Sequence, residues 1–246
     1  MNILLLMAGA DIQSRGEVYP SILTEVGDKP LIQIHVEMAR RIYDARLIFA
    51  VRESDSKKFH LNNIISIIAP QSPIVPVRGN TQGAACTALL AIEYINNDQP
   101  LLIVSANELV KADYNHIIKY FSLHDYDAGV VVFNSVHPKY SYVRIDDNLG
   151  SVVEAAEKNP ISSNATAGFY YFKKGGDFVK SVQSMIKKSA LTDGQYFICP
   201  SLNEMVLFQK RVGYFRIENS AYVPLKSEAN LETLVNKVAG GTHEAF

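Results

Sequence analysis

The stretch Ala8-Gly9-Ala10-Asp11-Ile12-Gln13-Ser14-Arg15 follows directly on an apolar run, Asn2 to Met7. Small residues at the end of a buried strand let backbone N–H groups approach an anion, and an arginine adds a fixed cation with forked donors. The chemistry this suits is the holding of phosphates. The same residues also fit a plain tight turn, and the loop alone does not decide between the two.

The elements that would position this loop alternate along the first 135 residues. Short apolar runs at 2–7, 46–51, 73–77, 100–105 and 128–134 read as strands. Helical patterns fill 31–44, 55–69, 83–96 and 113–124 between them. Such alternation predicts parallel strands joined by right-handed crossovers, with ligands outside the carboxyl ends of the strands. After residue 135 the pattern changes. Residues 140–145 and 152–155 flank Asp146-Asp147-Asn148-Leu149-Gly150, which reads as a hairpin turn. A strand at 166–173, helices near 175–188 and 198–209, and a strand at 211–217 follow. The whole reads as one mixed α/β domain over residues 1–246, with the later part extending the sheet and covering a second substrate.

Composition bounds the function. A length of 246 residues suits one large α/β domain, and 48% apolar with 20% charged residues is ordinary for a chain with a sizeable core. A net charge of −1 argues against a broad nucleic-acid footprint while leaving room for a local anion pocket. Cys86 and Cys199 have no metal-ligand spacing and lie in apolar surroundings, so both are expected to be structural thiols. The first apolar run lacks a basic lead and is too short for a signal peptide core or a membrane span. A soluble, cytoplasmic protein with no membrane or nucleic-acid partner is the expectation. Thirteen tyrosines and eleven phenylalanines would allow an apolar interface between copies of the chain.

Further segments join the first loop. They are Pro20-Ser21-Ile22-Leu23, Val26 to Gln33, Gln82-Gly83-Ala84-Ala85-Cys86-Thr87 and Leu101 to Asn107. Glu157-Lys158-Asn159-Pro160-Ile161 and Thr166-Ala167-Gly168-Phe169-Tyr170-Tyr171-Phe172 complete the set. In this order and spacing they resemble the sugar-phosphate nucleotidyltransferases of bacterial polysaccharide pathways, from residue 1 to about 215. The resemblance implies a Rossmann-like, GT-A-like nucleotide-diphospho-sugar transferase fold. It also implies a reaction: a sugar phosphate oxygen attacks the α-phosphorus of an NTP, pyrophosphate leaves, and Mg²⁺ offsets the charge.

Site roles follow from the same resemblance. Ala8, Gly9 and Arg15 would hold the triphosphate, and Gln82 with Gly83 the nucleobase. Glu157 would bind sugar hydroxyls, Lys158 the acceptor phosphate, and Thr166 with Gly168 would line that pocket. Lys139 or Tyr142 could border the ligand, with His137 structural. Arg15 and Lys158 stand as the catalytic cations. The departures fall on the other half of the site. Asp11, Ile12 and Gln13 intervene before Arg15, and Ser21 stands where a phosphate-contacting lysine is expected. Lys29 is near in sequence but belongs to the motif that opens the next helix. Asn107 replaces a metal-binding aspartate, with Glu108 as its stand-in, although Mg²⁺ favours carboxylates and phosphates. No second metal aspartate is evident between Tyr222 and Glu228, where only Glu228 could serve. Two functions therefore compete: a nucleotidyltransferase with a remodelled metal site, and a non-catalytic homologue that binds a sugar phosphate or nucleotide sugar to regulate or scaffold a partner. A nucleotide-sugar glycosyltransferase ranks third, since its Asp-x-Asp motif is matched only by Asp125-Tyr126-Asp127, which precedes a strand.

Overall fold

The computed structural model describes residues 1–9, 12–14, 17–225 and 227–239. In chain order the strands begin with β1 (Asn2–Leu6), the short pairs β2 (Ile12–Ser14) with β3 (Glu17–Tyr19) and β4 (Glu25–Val26) with β5 (Lys29–Pro30), and then β6 (Arg46–Arg52). They continue with β7 (Ile74–Val77), β8 (Leu101–Ser105), β9 (Glu108–Val110), β10 (Ala128–Asn134) and β11 (Ser141–Asp146). The last are β12 (Ser151–Glu157), β13 (Asn164–Phe172), β14 (Val212–Arg216) and β15 (Tyr222–Pro224). The helices are α1 (Leu31–Arg40), α2 (Glu53–Phe59), α3 (Leu61–Ile68), α4 (Ala84–Leu89) and α5 (Ile92–Ile95). Then come α6 (Tyr114–Leu123), α7 (Gly175–Lys187), α8 (Ser201–Leu207) and α9 (Glu228–Ala239).

β1 is buried along its whole length because it lies between two parallel neighbours and under helices on both faces. Its side chains alternate between two apolar layers. Ile3 and Leu5 pack with α1, α3, α6 and α9, whereas Leu4 and Leu6 pack with α4, α5, α7 and α8. Leu6 stands opposite both Ala50 of β6 and Ser105 of β8, so three strands end at one edge of the sheet.

The mixed sheet confirms the expected fold class, with two corrections of topology. The strand at 128–134 runs in the direction of β8 but is not its neighbour. β13 lies between them, antiparallel to both, with Phe172 opposite Leu101 on one side and Ala128 on the other. β13 spans nine residues and is buried over all but its first, so it has two edges to pair and no face to show water. Apolar patterning reports that burial but not which strand lies alongside. The expected helices 55–69 and 83–96 are each broken. His60 sits between α2 and α3 with φ 54°, a left-handed conformation that ends the first helix, and Leu90–Ala91 separate α4 from α5. The hairpin at 140–155 and the strand at 211–217 are present as β11–β12 and β14, and α1 opens at Leu31 immediately after Lys29-Pro30. The antiparallel pair β9–β15, which crosses 114 positions, has no counterpart in the sequence reading. Among the described residues no helix is long and apolar enough to cross a membrane.

Candidate active site

The edge where β1, β6 and β8 end gathers the first group of predicted residues. Met7 N–H donates to Ala50 O at 2.9 Å and Ala106 N–H to Leu6 O at 3.1 Å, which carries both flanking loops forward together. Gly9 then meets Asn107 so closely that a Cβ on residue 9 would lie 2.5 Å from Asn107 Nδ2. The carbonyl oxygens of Ala8 and Gly9 both accept from Arg52 Nη2, the former at 3.3 Å. Arg52 is in turn paired with Asp55 at 3.7 Å, one turn into α2. Gly9, Ser21, Asp55 and Asn107 share the wall of a small cavity at this end. Arg15 lies outside the described residues.

Asn107 and Glu108 are neighbours in sequence but diverge in space. Asn107 faces Gly9, and its carbonyl oxygen accepts from Leu225 N–H at 2.8 Å. Glu108 is buried, and its Oε2 accepts the phenolic proton of Tyr222 at 2.7 Å. On its other side is Gly168, whose φ of +65° and clearance for Glu108 leave no room for a side chain: a Cβ would lie 2.9 Å from Glu108 Cδ. Tyr222 stacks on Phe133 at 4.0 Å between ring centroids, and burial, reinforced by the Glu108 charge, raises its phenol far above the ordinary range. Glu228 opens α9.

These donors do not fit a protein-held Mg²⁺. Asn107 offers a neutral amide, Glu108 is committed to a phenol, and no cluster of three or more His, Cys, Asp or Glu suited to a metal occurs among the described residues. The Glu108–Tyr222 pair instead ties the C-terminal strand β15 to β9. Tyr222→Phe should therefore cost about 2 kcal/mol in urea unfolding, the worth of a hydrogen bond to a charged group. Glu108→Gln keeps an acceptor for the phenol and should cost about 1 kcal/mol or less.

The acceptor-side residues gather where β11, β12 and β13 meet. Ser141 stands opposite Glu157 in register, and its hydroxyl donates to Glu157 Oε2. Thr166 is buried and shares a 2.9 Å hydrogen bond with the Tyr170 hydroxyl. Lys158 has φ 54°, and its Nζ lies 3.0 Å from Asp193 and 5.2 Å from the centroid of the Phe197 ring. That ion pair is half exposed, so it binds the lysine weakly and leaves it available to an anion. Tyr142 donates to His137 O at 2.6 Å, and Lys139 Nζ lies over the Tyr140 ring, so this segment is tied into the fold. Cys199 is buried and its thiol is pushed well up by that burial, whereas Cys86 is only half buried.

Gln82 and Gly83 are joined to the acceptor side by one segment. Tyr196 N–H donates to Gln82 O at 2.8 Å, Ala85 N–H donates to Tyr196 O at 3.0 Å, and Gln82 Nε2 donates to Gly194 O at 3.3 Å. Asp193 of the same turn holds Lys158. The predicted residues thus fall into three groups, Gly9–Asn107, Gln82–Gly83 and Glu157–Lys158–Thr166, the last two linked through residues 193–196, with Glu108 and Gly168 together between β9 and β13. Arg52 escaped the sequence reading, although a charged residue ending an apolar strand was a usable signal. The Asp-x-Asp candidate is spent elsewhere: Asp125 pairs with Lys173, and Asp127 accepts from Arg211 N–H at 2.9 Å ahead of β10.

A mixed sheet of this order, with its loops gathered at the carboxyl ends of the parallel strands, is a Rossmann-like α/β fold of the nucleotidyltransferase class. A sequence profile described as Nucleotidyl transferase matches residues 17–210, and the chain belongs to that family. No curated protein matches it in sequence. Among solved structures, a nucleoside-diphosphate-sugar pyrophosphorylase from Vibrio cholerae RC9 superposes with a TM-score of 0.81 at 18% identity, over 96% of this chain and all (100%) of that one. A UDP-glucose pyrophosphorylase from Acinetobacter baumannii gives 0.73 at 16% identity, over 99% and 95% of the two chains. Another UDP-glucose pyrophosphorylase, solved with UDP-glucose, gives 0.72 at 15% identity, over 97% and 98%. At these identities the likeness is one of fold.

Proposed function

We propose that the chain is a single-domain sugar-phosphate nucleotidyltransferase of surface or capsular polysaccharide synthesis. The observation that supports this best is the linkage of the Gln82–Gly83 junction to Lys158 by the turn at 192–197, on the same side of the sheet as the Ala8–Gly9 loop. The Ala8–Gly9 loop and Arg15 take the triphosphate, and Gln82 with Gly83 the base. Glu157, Thr166 and Gly168 take the sugar, and Lys158 steadies its phosphate. An acceptor phosphate oxygen forms the new bond to the α-phosphorus as the bond to pyrophosphate breaks, and the chain's part is to bring the two anions into line. No step is assigned to a protein-held metal, because the donors at Asn107 and Glu108 do not suit one.

Pyrophosphate release with the common NTPs against a panel of sugar 1-phosphates, with and without Mg²⁺, tests the reading. One specific pair should give turnover. Asn107→Asp, nearly isosteric against Gly9, should then raise the Mg²⁺-dependent rate by about tenfold, equivalent to about 1.4 kcal/mol of barrier. The neutral amide at Asn107 and the engagement of Glu108 by Tyr222 favour a second reading, a non-catalytic binder of a sugar phosphate or nucleotide sugar. Silence across the panel, with calorimetry still registering one of those ligands, would select it.

A further inference from the structure

Arg52 ends the strand beside β1, and its guanidinium is largely withdrawn from solvent, with a side-chain exposure of 21%. It donates to two successive carbonyl oxygens, those of Ala8 and Gly9, and Asp55 at 11% exposure holds it from α2. Burying an arginine is costly unless its donors are used, and here the fork is used on the loop that would face a triphosphate. Two carbonyl dipoles directed at phosphate oxygens would repel them. A cation bound to those carbonyls cancels that repulsion and fixes the loop in one shape. Ser21, across the same small cavity, contributes no charge.

From this geometry we infer that Arg52, braced by Asp55, is a positioning residue for the nucleotide: through its two carbonyl contacts it locks the Ala8–Gly9 loop in the shape that receives the triphosphate. The inference rests on the proposed binding of an NTP at this loop. Its selectivity is its signature, because four strands (β11, β13, β8 and β1) lie between β6, which Arg52 ends, and β12, which Glu157 ends.

Calorimetry of the wild type, Arg52→Gln and Arg52→Lys decides it, with inorganic tripolyphosphate, the common NTPs and the sugar 1-phosphate panel as probes. Arg52→Gln should weaken tripolyphosphate and NTP binding by about tenfold or more, the equivalent of one charge-assisted hydrogen bond, and leave sugar 1-phosphate binding unchanged. Arg52→Lys keeps the charge and loses the fork, so its loss should be intermediate. Nucleotide affinity unchanged in Arg52→Gln overturns the inference, as does an equal loss of both ligand classes, which a merely structural residue would give. Should Arg52→Gln fail to fold, Arg52→Lys decides on the same criteria. A wild-type chain that binds neither tripolyphosphate nor any NTP overturns the underlying reading, and this inference with it.

Discussion

Replacing Gly83 by alanine is expected to remove a large share of the stability of the fold along with the nucleotide side of the cleft. Gly83 has φ 110° and ψ 173°, a region that residues other than glycine essentially do not occupy, at about 1–3 kcal/mol of strain. Its missing Cβ would also fall 2.4 Å from Tyr196 O and 2.8 Å from Tyr196 N. Those are main-chain atoms with no rotamer to give way, and they are held by the hydrogen bonds to Gln82 and Ala85. Relieving the clash means breaking both bonds, at about 1 kcal/mol each. The combined loss should be about 4 kcal/mol, against a total of about 5–15 kcal/mol for a typical domain. Urea unfolding should show a lower midpoint at an unchanged slope. The turn at 192–197 would part from α4, and Lys158 would lose its Asp193 anchor with it. If Gly83→Ala instead unfolds like the wild type and only nucleotide binding disappears, then the glycine serves a planar ring and not the packing.

That choice between ring and packing is one the sequence alone leaves open. The buried strands were legible because a strand covered on both faces has to be a continuous apolar run, and Asn2–Leu6, Arg46–Arg52 and Leu101–Ser105 lie within a residue of their expected bounds. Gly9 and Asn107 were both legible as residues at strand ends, but that they meet depends on β1 lying beside β8. Lateral order was not legible. Nothing in the pattern of Asn164–Phe172 says that it lies between β8 and β10, since patterning encodes burial and not partners. The helix breaks at His60 and at Leu90–Ala91 carry neither glycine nor proline. At the site, the pairing of Glu108 with Tyr222 and of Lys158 with Asp193 joins residues far apart in sequence, with no local signal in either. The family resemblance makes Glu108 a stand-in metal ligand; its place across from Tyr222 decides what the carboxylate touches.

His35 gives the other large effect, and it reaches the same edge of the sheet from beneath. It lies on the buried face of α1, hydrogen-bonded to the main chain of Ala106, and its Nε2 has no partner among the described residues. Desolvation pushes its pKa down to about 4 from 6.5, against the opposing pull of the Ala106 hydrogen bond. The folded chain therefore refuses a proton that the unfolded chain accepts below pH 6.5. The stability this represents is fully present above pH 6.5 and is lost as pH falls from 6.5 towards 4, by about 3 kcal/mol over the window. His35→Gln can keep a hydrogen bond to Ala106 and does not titrate, so the difference in unfolding free energy between variant and wild type should shrink or reverse across that interval. Parallel pH profiles for the two proteins would mean that the imidazole finds a proton acceptor or water in solution. Because Ala106 leads directly into Asn107, protonating the folded chain as pH nears 4 should also loosen the Gly9–Asn107 contact.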